Sequence, residues 1–170
     1  MGIVELIKRY NIDTIGKHCV VVGRSKIVGL PISILMSKNN NFANCTVTLA
    51  HSKTINLKDI TKRADILIVA LGKADFIDSS MIKKNAVVID VGITRIKSNL
   101  TKSGWKLKGD VNFEDVKNKC TYLTPVPGGV GPMTIVSLLK NTLTATKLKF
   151  KNCLLYTSDA ADDRAGGCVG

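Results

Sequence analysis

Short apolar runs separated by stretches of helical character are the feature of this chain that most constrains its fold. Three of them, VVV at residues 20–22, ILIVAL at 66–71 and AVVIDV at 86–91, are continuous rather than alternating. Such runs are typical of strands that helices cover on both faces, as in a parallel sheet. The pattern predicts strands at residues 19–22, 46–50, 66–71, 86–91 and 121–124.

Segments of helical pattern lie between the predicted strands. After an opening helix, we expect helices at residues 30–38, 57–63, 79–84, 113–117 and 133–150. Strands that alternate with helices over short connections predict an α/β fold, here a Rossmann-type doubly wound, mainly parallel sheet flanked by helices. Residues 94–108 are polar and rich in turn residues, so they indicate a hairpin or other excursion. The last helix carries an apolar stripe that should pack on the sheet: Ile135, Leu138, Leu139 and Leu143.

Composition and charge limit the class of protein. The chain has 170 residues, 45% of them hydrophobic, and its 25 Lys and Arg against 13 Asp and Glu give a net charge of +12. No apolar run approaches the ~20 residues of a membrane-spanning helix, and the basic residues form no dense tract. We therefore expect neither a membrane nor a nucleic-acid partner. The five cysteines contain no CxxC pair, which predicts reduced thiols and no metal site.

The first predicted strand leads into a turn bounded by two glycines. Gly23 and Gly29 enclose the segment RSKIV, and Pro31 stands early in the helix that follows. This arrangement aims backbone N–H groups and the positive end of a helix dipole at a phosphate. The spacing G-x-x-x-x-x-G differs from the G-x-G-x-x-G of many dinucleotide sites, so an ordinary strand-to-helix turn is the alternative. The cations of Arg24 and Lys26 favour the phosphate site.

The end of the second predicted strand indicates which nicotinamide cofactor such a site would hold. NAD sites often have an acidic residue there that binds the ribose 2′-hydroxyl, but this chain has AHSKT at residues 50–54. Hydroxyl groups, Lys53 and a nearby Arg24 suit a 2′-phosphate instead, so the sequence favours NADP. For His51, a surface or capping histidine is the simpler interpretation.

A loop of unusual composition follows the fifth predicted strand. Residues 125–132 contain three prolines and three glycines, which excludes a helix or a central strand and predicts a rigid loop that serves a ligand. A simple connector is the alternative. Gly72 and Gly92, at the ends of the third and fourth strands, would let a ligand approach the backbone, or would serve tight turns. We interpret Asp90, inside an apolar strand, as a carboxylate bonded to backbone amides.

Seven segments in one order resemble a single family, the bifunctional methylenetetrahydrofolate dehydrogenase and methenyltetrahydrofolate cyclohydrolase. The resemblance runs from about residue 2 to about residue 150, and the segments that carry it are GIVELIKRYNIDTIGK, VVVGRSKIVGLP, AHSKT, ADILIVALGK, VVIDVGI, KGDVNF and TPVPGGVGPMT. GRSKIVG with HSKT looks most like the eukaryotic, NADP-using branch. The resemblance implies that residues 1–152 are the family's NADP-binding Rossmann domain.

The resemblance also implies a reaction and a set of site residues. The reaction is oxidation of 5,10-methylenetetrahydrofolate by NADP, followed by hydrolysis of 5,10-methenyltetrahydrofolate to 10-formyltetrahydrofolate. Tetrahydrofolate derivatives, a homodimer and a cytoplasmic location, with the mitochondrion as the alternative, are expected with it. The matching positions put Gly23, Arg24 and Ser25 on the cofactor phosphates and ribose, Ser52 with Arg24 at the 2′-phosphate, and Ile93 by the nicotinamide. The loop expected to close over the folate is formed by Pro127, Gly128, Gly129, Val130 and Gly131.

The family's amino-terminal half, which holds its catalytic lysine in a Tyr-x-x-x-Lys pair, has no match in this chain. We therefore assign no catalytic side chain and expect little or no turnover from this chain alone. A non-catalytic NADP-binding module or an inactive fragment is the alternative. Residues 153–170 break with the preceding pattern, and CLLYTSDAAD resembles a translated sequencing adapter. We expect this segment to be a non-native, disordered tail.

Overall fold

A computed structural model describes residues 2–99, 101 and 104–162, with residues 151–162 described by their backbone alone. The elements in chain order are α1 (Gly2–Arg9), β1 (His18–Val22), α2 (Gly29–Ser37), β2 (Thr46–Ala50), α3 (Leu57–Thr61), β3 (Ile66–Val69), a 3₁₀ turn (Ser79–Met81), β4 (Ala86–Asp90), β5 (Thr94–Lys97), β6 (Trp105–Lys108), α4 (Phe113–Val116), β7 (Cys120–Leu123) and α5 (Val130–Asp162). The five predicted strands are all present, and the segment expected to leave the sheet forms the antiparallel hairpin β5–β6.

Five parallel strands form the main sheet, in the order β2-β1-β3-β4-β7. This confirms the predicted α/β fold with a parallel sheet flanked by helices. The chain runs outward from β1 to β2 and then returns to β3 on the other side of β1. In sheets of this kind a crevice opens at the carboxyl ends of the two strands where the direction of winding reverses. Here these strands are β1 and β3, with Val22 paired to Val69 at the crevice edge.

Alternate residues of the strands enter two apolar clusters, one on each face of the sheet. Val20 and Val22 of β1 pack on the face that α3 and α4 cover, whereas Cys19 and Val21 pack on the face that α1 and α2 cover. All four side chains are fully buried. Burial of an aliphatic side chain of this size contributes about 1.5–3 kcal/mol. Burial on both faces is the reason that the strand sequences show continuous apolar runs.

The apolar stripe of α5 does not pack on the sheet, so that expectation is wrong. Leu138 and Leu139 each keep 65% of their surface exposed. α1 covers the sheet face that the stripe would need, and α5 packs on α1 instead. A Cβ placed on Gly2 would lie 2.9 Å from the Thr134 nitrogen, so the two helices touch through a residue without a side chain.

The ends of two predicted helices differ from the expectation. The helix predicted at 79–84 is only a 3₁₀ turn, because Ile82 takes an extended conformation and is buried in the core. The sequence predicts that the last helix ends at residue 150 and that disorder begins at residue 153, but α5 continues to Asp162. Residues 151–162 contain neither Gly nor Pro, which favours the longer helix. Residues 163–170 lie outside the described residues, and their disorder stays a prediction.

Candidate functional site

The predicted site residues lie at one edge of the sheet, where the parallel strands end. Gly23 continues β1, and its amide donates to the Ala50 carbonyl at the end of β2 at 2.8 Å. The Ala70 amide donates to the Val22 carbonyl at the same distance. Because Val69 pairs with Asp90 of β4, the segments that follow β1, β2, β3 and β4 all leave the sheet at this edge.

Both glycines of the first turn are required by crowding. Gly23 has φ +126°, and a Cβ on it would lie 2.2 Å from the Ala70 carbonyl oxygen. A Cβ on Gly29, the first residue of α2, would lie 1.9 Å from the Gly23 carbonyl oxygen. The turn is therefore folded tightly against its own start and against the end of β3.

The amides of this turn divide into two groups. The Ser25 hydroxyl oxygen accepts from the Val28 and Gly29 amides, at 3.1 and 3.4 Å, and the Ser25 carbonyl accepts from Leu30. The amides of residues 24–27, in contrast, donate to no acceptor in the described part of the chain. These residues are exposed, and they precede the amino end of α2. Amides in such a position are available to an anion.

The segment after β2 forms a compact turn without a carboxylate. The Thr54 hydroxyl oxygen accepts from the His51 amide, and the His51 carbonyl accepts from the Thr54 amide, both at 2.8 Å. His51 Nδ1 accepts from the Lys53 amide at 3.2 Å, so the proton of the neutral ring lies on Nε2. His51 thus holds the turn, in agreement with the interpretation as a capping residue. Ser52 and Lys53 are exposed at its tip.

Ile93 and the loop rich in proline and glycine meet in one cavity. This cavity has a volume of about 220 Å³, and its lining includes Gly92, Ile93 and residues 125–132. Ile93 is 60% exposed. The Thr124 hydroxyl fixes the start of the loop, because it accepts from the Asp90 amide at 2.8 Å and donates to the Asp90 carbonyl at 3.3 Å. The expected nicotinamide residue and the expected folate residues therefore line a common space.

Asp110 is the residue at this edge that the sequence analysis missed. Its buried carboxylate accepts from the amides of Leu71, Gly72 and Lys73, at 2.6, 2.8 and 2.7 Å. A lone Asp after Gly109 in the motif KGDVNF was the available signal, but its partners lie 37–39 residues earlier. Local sequence patterns do not reveal such distant partners.

Asp90 lies beside Asp110, and its interpretation as a backbone-bonded carboxylate is confirmed. Its oxygens accept from the amides of Gly92, Asp110 and Val111, at 2.9, 3.1 and 2.9 Å. Burial nevertheless raises the pKa of the Asp90 carboxyl to about 6, against the opposing effect of the three amides. Desolvation of the charged form therefore outweighs the hydrogen bonds.

A larger cavity, of about 420 Å³, lies away from the crevice between β1 and β3. It runs along β4 and β7 beside α1, and Tyr10 and Tyr122 contact each other edge to face at its rim, with ring centroids 5.8 Å apart. The predicted cofactor residues do not line it.

The described residues contain no cluster of three potential metal ligands. In the same part of the chain we find no helix with the length and apolar character needed to cross a membrane.

Comparison with known families and proteins gives concordant matches. Residues 1–150 match the model of the tetrahydrofolate dehydrogenase/cyclohydrolase NAD(P)-binding domain. The bifunctional protein FolD of Cytophaga hutchinsonii is 60% identical over 148 residues, which cover 87% of this chain and 51% of that protein. FolD of Porphyromonas gingivalis is 56% identical over 146 residues, 86% of this chain and 49% of that protein. The chain thus spans about half the length of these curated relatives. Both are bacterial, so the expected eukaryotic branch is not confirmed.

Two solved structures share the fold. The bifunctional enzyme FolD of Campylobacter jejuni superposes with a TM-score of 0.77 at 44% identity, over 87% of this chain and 49% of that one. The N5,N10-methylenetetrahydrofolate dehydrogenase-cyclohydrolase of Trypanosoma brucei, solved with NADP cofactor and an inhibitor, gives a TM-score of 0.80 at 40% identity. It is matched over 88% of this chain and 50% of that one.

Proposed function

The chain belongs to the tetrahydrofolate dehydrogenase/cyclohydrolase family, whose NAD(P)-binding domain matches residues 1–150, and on this premise we propose that it holds NADP for a folate dehydrogenase and cyclohydrolase. The observation that carries the proposal is the turn from Gly23 to Gly29. Four successive amides, those of residues 24–27, are without a protein acceptor in the described part of the chain. A pyrophosphate would accept from such amides at the amino end of α2, with the charges of Arg24 and Lys26 alongside.

The choice of NADP over NAD rests on the segments that follow β1 and β2. Residues 50–54 contain no carboxylate that would bind a ribose 2′-hydroxyl or repel a 2′-phosphate. Ser52 and Lys53 are exposed there, and Arg24 is exposed at the end of the adjacent strand. An arginine suits a phosphate because its planar guanidinium donates two parallel hydrogen bonds. The relative from Trypanosoma brucei was solved with NADP, which supports this choice.

The proposed reaction joins two steps on one carbon. Bound NADP would supply the hydride acceptor as 5,10-methylenetetrahydrofolate becomes the methenyl cation, and water would then open that cation to 10-formyltetrahydrofolate with release of a proton. In this proposal Ile93 gives the nicotinamide an apolar neighbour. Residues 127–131 line the folate side of the same cavity. Their role is to orient two reactants and exclude water from the first step.

Turnover is proposed to need more than this chain. The curated relatives are about twice as long as the matched segment, and no described side chain here is assigned a catalytic role. We propose that residues 1–152 are the cofactor-binding half of the enzyme, with tetrahydrofolate derivatives as substrates. A non-catalytic NADP-binding module is the second candidate, because the match covers only half of the relatives. The homodimer and the cytoplasmic location stay predictions.

An activity assay separates these two candidates. The purified chain should produce no NADPH from methylenetetrahydrofolate and NADP, whereas addition of the half of a FolD relative that this chain does not match should give measurable NADPH if the chain is an enzyme half. No activity from that mixture, with both parts folded and NADPH bound, would favour the non-catalytic module. Activity of the chain alone would contradict the need for the other half.

A binding assay tests the cofactor. NADPH and NADH are titrated separately into the full chain and followed by their fluorescence, for the wild type and for Arg24→Ala. Loss of a charged hydrogen bond should weaken NADPH binding by about 10- to 100-fold, and NADH binding much less. The matched control is Arg63→Ala, an exposed arginine at the opposite edge of the sheet, which should leave both affinities unchanged. Equal losses for the two nucleotides would remove the 2′-phosphate assignment.

A further inference from the structure

Two buried carboxylates connect three loops at the carboxyl edge of the sheet. Asp110 is 0% exposed and Asp90 is 3% exposed. Asp110 follows the hairpin β5–β6, and Asp90 is the last residue of β4. The Asp110 amide donates to Asp90 Oδ1 at 3.1 Å. Asp90 thus holds the backbone of Asp110, and the Asp110 side chain holds a loop. Neither belongs to the residues that the sequence resemblance assigns to the cofactor or the folate.

Asp110 holds what we call the crevice loop, the residues Leu71, Gly72 and Lys73 that follow β3. Oδ2 accepts from the first two amides, and Oδ1 accepts from the third. The residue just before this loop is Ala70, whose carbonyl oxygen faces Gly23 at the distance that excludes a Cβ. The start of the crevice loop therefore lies against the start of the glycine-bounded turn. The two segments form opposite walls of the crevice.

The chain leaves space for both carboxylates by having glycines opposite them. A Cβ on Gly92 would lie 2.1 Å from Asp110 Cγ, and a Cβ on Gly109 would lie 2.0 Å from Asp90 Oδ2. Any side chain at either position would displace a carboxylate. Gly92 is itself bonded to Asp90 through its amide. The loops after β3, β4 and β6 are thus built around these two groups.

The amides of the crevice loop do not need Asp110 merely to find a hydrogen-bond acceptor. Gly72 and Lys73 are exposed, so water could satisfy their amides, and burial of a carboxylate such as Asp110 is costly unless it is well bonded. What the carboxylate adds is position, because three consecutive amides that converge on one group fix the path of the loop. A fixed path matters where a ligand must meet a preformed wall.

We propose that Asp110 is a positioning residue for the nicotinamide cofactor, which holds the crevice loop in place against the glycine-bounded turn so that the crevice is formed before the cofactor binds. The proposal rests on the proposed function, since it takes the crevice to be the cofactor site. Asp110 acts only through backbone amides, and Asp90 holds it through the Asp110 and Val111 amides.

The experiment compares Asp110→Asn with Asp65→Asn in the full chain. Asp65 is the matched control because it also accepts a backbone amide, that of His18 at 2.9 Å, but at the opposite edge of the sheet. Amide hydrogen exchange is measured by NMR without ligand, and NADPH binding is measured by fluorescence titration, both at a temperature where the variants are folded. Asp110→Asn should speed exchange of the crevice-loop amides and weaken NADPH binding, each by about tenfold or more. Asp65→Asn should change neither by more than about twofold.

The possible outcomes separate this proposal from the proposed function. If the wild-type chain binds no NADPH, the proposed function fails. If the wild type binds and Asp110→Asn binds as tightly, only the positioning role is overturned. Unchanged exchange in the crevice loop of Asp110→Asn overturns it as well. Should Asp110→Asn not fold, the wild type without ligand gives the test: the Leu71, Gly72 and Lys73 amides, which donate to Asp110, should exchange about tenfold or more slowly than the acceptor-free amides of residues 24–27, and equal rates would refute the proposal.

Discussion

Gly29→Ala sets two physical effects against each other at the start of α2. Helix propensity alone favours alanine over glycine by about 1 kcal/mol. The added Cβ, however, would lie 1.9 Å from the Gly23 carbonyl oxygen and 2.5 Å from the carbonyl carbon. Separations under 3.0 Å essentially never occur for a real Cβ, so the backbone of the turn must move by about 1 Å. Overpacking of this kind costs about 1–3 kcal/mol. Here the crowded atoms belong to the backbone of Gly23 and Arg24, so no side-chain rotation relieves the contact.

We therefore expect Gly29→Ala to lower the free energy of unfolding by up to about 2 kcal/mol, because the crowding exceeds the gain in helix propensity. NADPH affinity should fall by about tenfold or more, since the displaced amides no longer converge on one phosphate. Urea denaturation and fluorescence titration measure the two quantities.

The control is Gly131→Ala, the same change at the second residue of α5, where a Cβ would meet nothing within 4 Å. Gly131→Ala should raise the free energy of unfolding by a few tenths to about 1 kcal/mol. If Gly29→Ala also raises it, the crowding argument is refuted.

Two further predictions concern side chains at the same edge. Burial raises the pKa of Asp90 to about 6 in the folded chain from 3.8, so it contributes stability that is fully present below pH 3.8 and lost as pH rises through about 6. The free energy of unfolding of the wild type minus that of Asp90→Asn, measured in urea, should fall by about 1–3 kcal/mol over this range; a flat difference would contradict the shift. Ser25→Ala removes the acceptor of the Val28 and Gly29 amides and should cost about 1 kcal/mol in thermal or urea unfolding, and no loss would show that the hydroxyl does not cap α2.

The sheet could be predicted because its strands are buried on both faces, and burial on both faces requires continuous apolar runs that are visible in the sequence. The ends of the strands could not be predicted equally well. The apolar run 66–71 extends two residues beyond β3, which ends at Val69. Leu71 still packs against the core, but its amide bonds to Asp110 instead of to a neighbouring strand. Apolar character reports burial, and it does not report which partner a backbone amide has.

The glycine-bounded turn and the loop at 125–132 could be located because special backbone conformations need glycine and proline. Asp110 could not be found in this way, because it acts on amides far away in the sequence. The stripe on α5 shows a third limit. Helical periodicity correctly indicated an apolar face, but it does not specify what covers that face, and α1 takes the place on the sheet.

The proposed cofactor site depends on four backbone amides that are available to a pyrophosphate, and NMR can follow these amides directly. A ¹⁵N-labelled chain is titrated with NADP to saturation, and shifts and exchange rates are recorded for the amides of residues 24–27. We predict that these four amides shift strongly and exchange more slowly on binding, while amides at the opposite edge of the sheet, such as that of His18, stay unchanged. Saturable binding that leaves residues 24–27 unperturbed would contradict the assignment of the site.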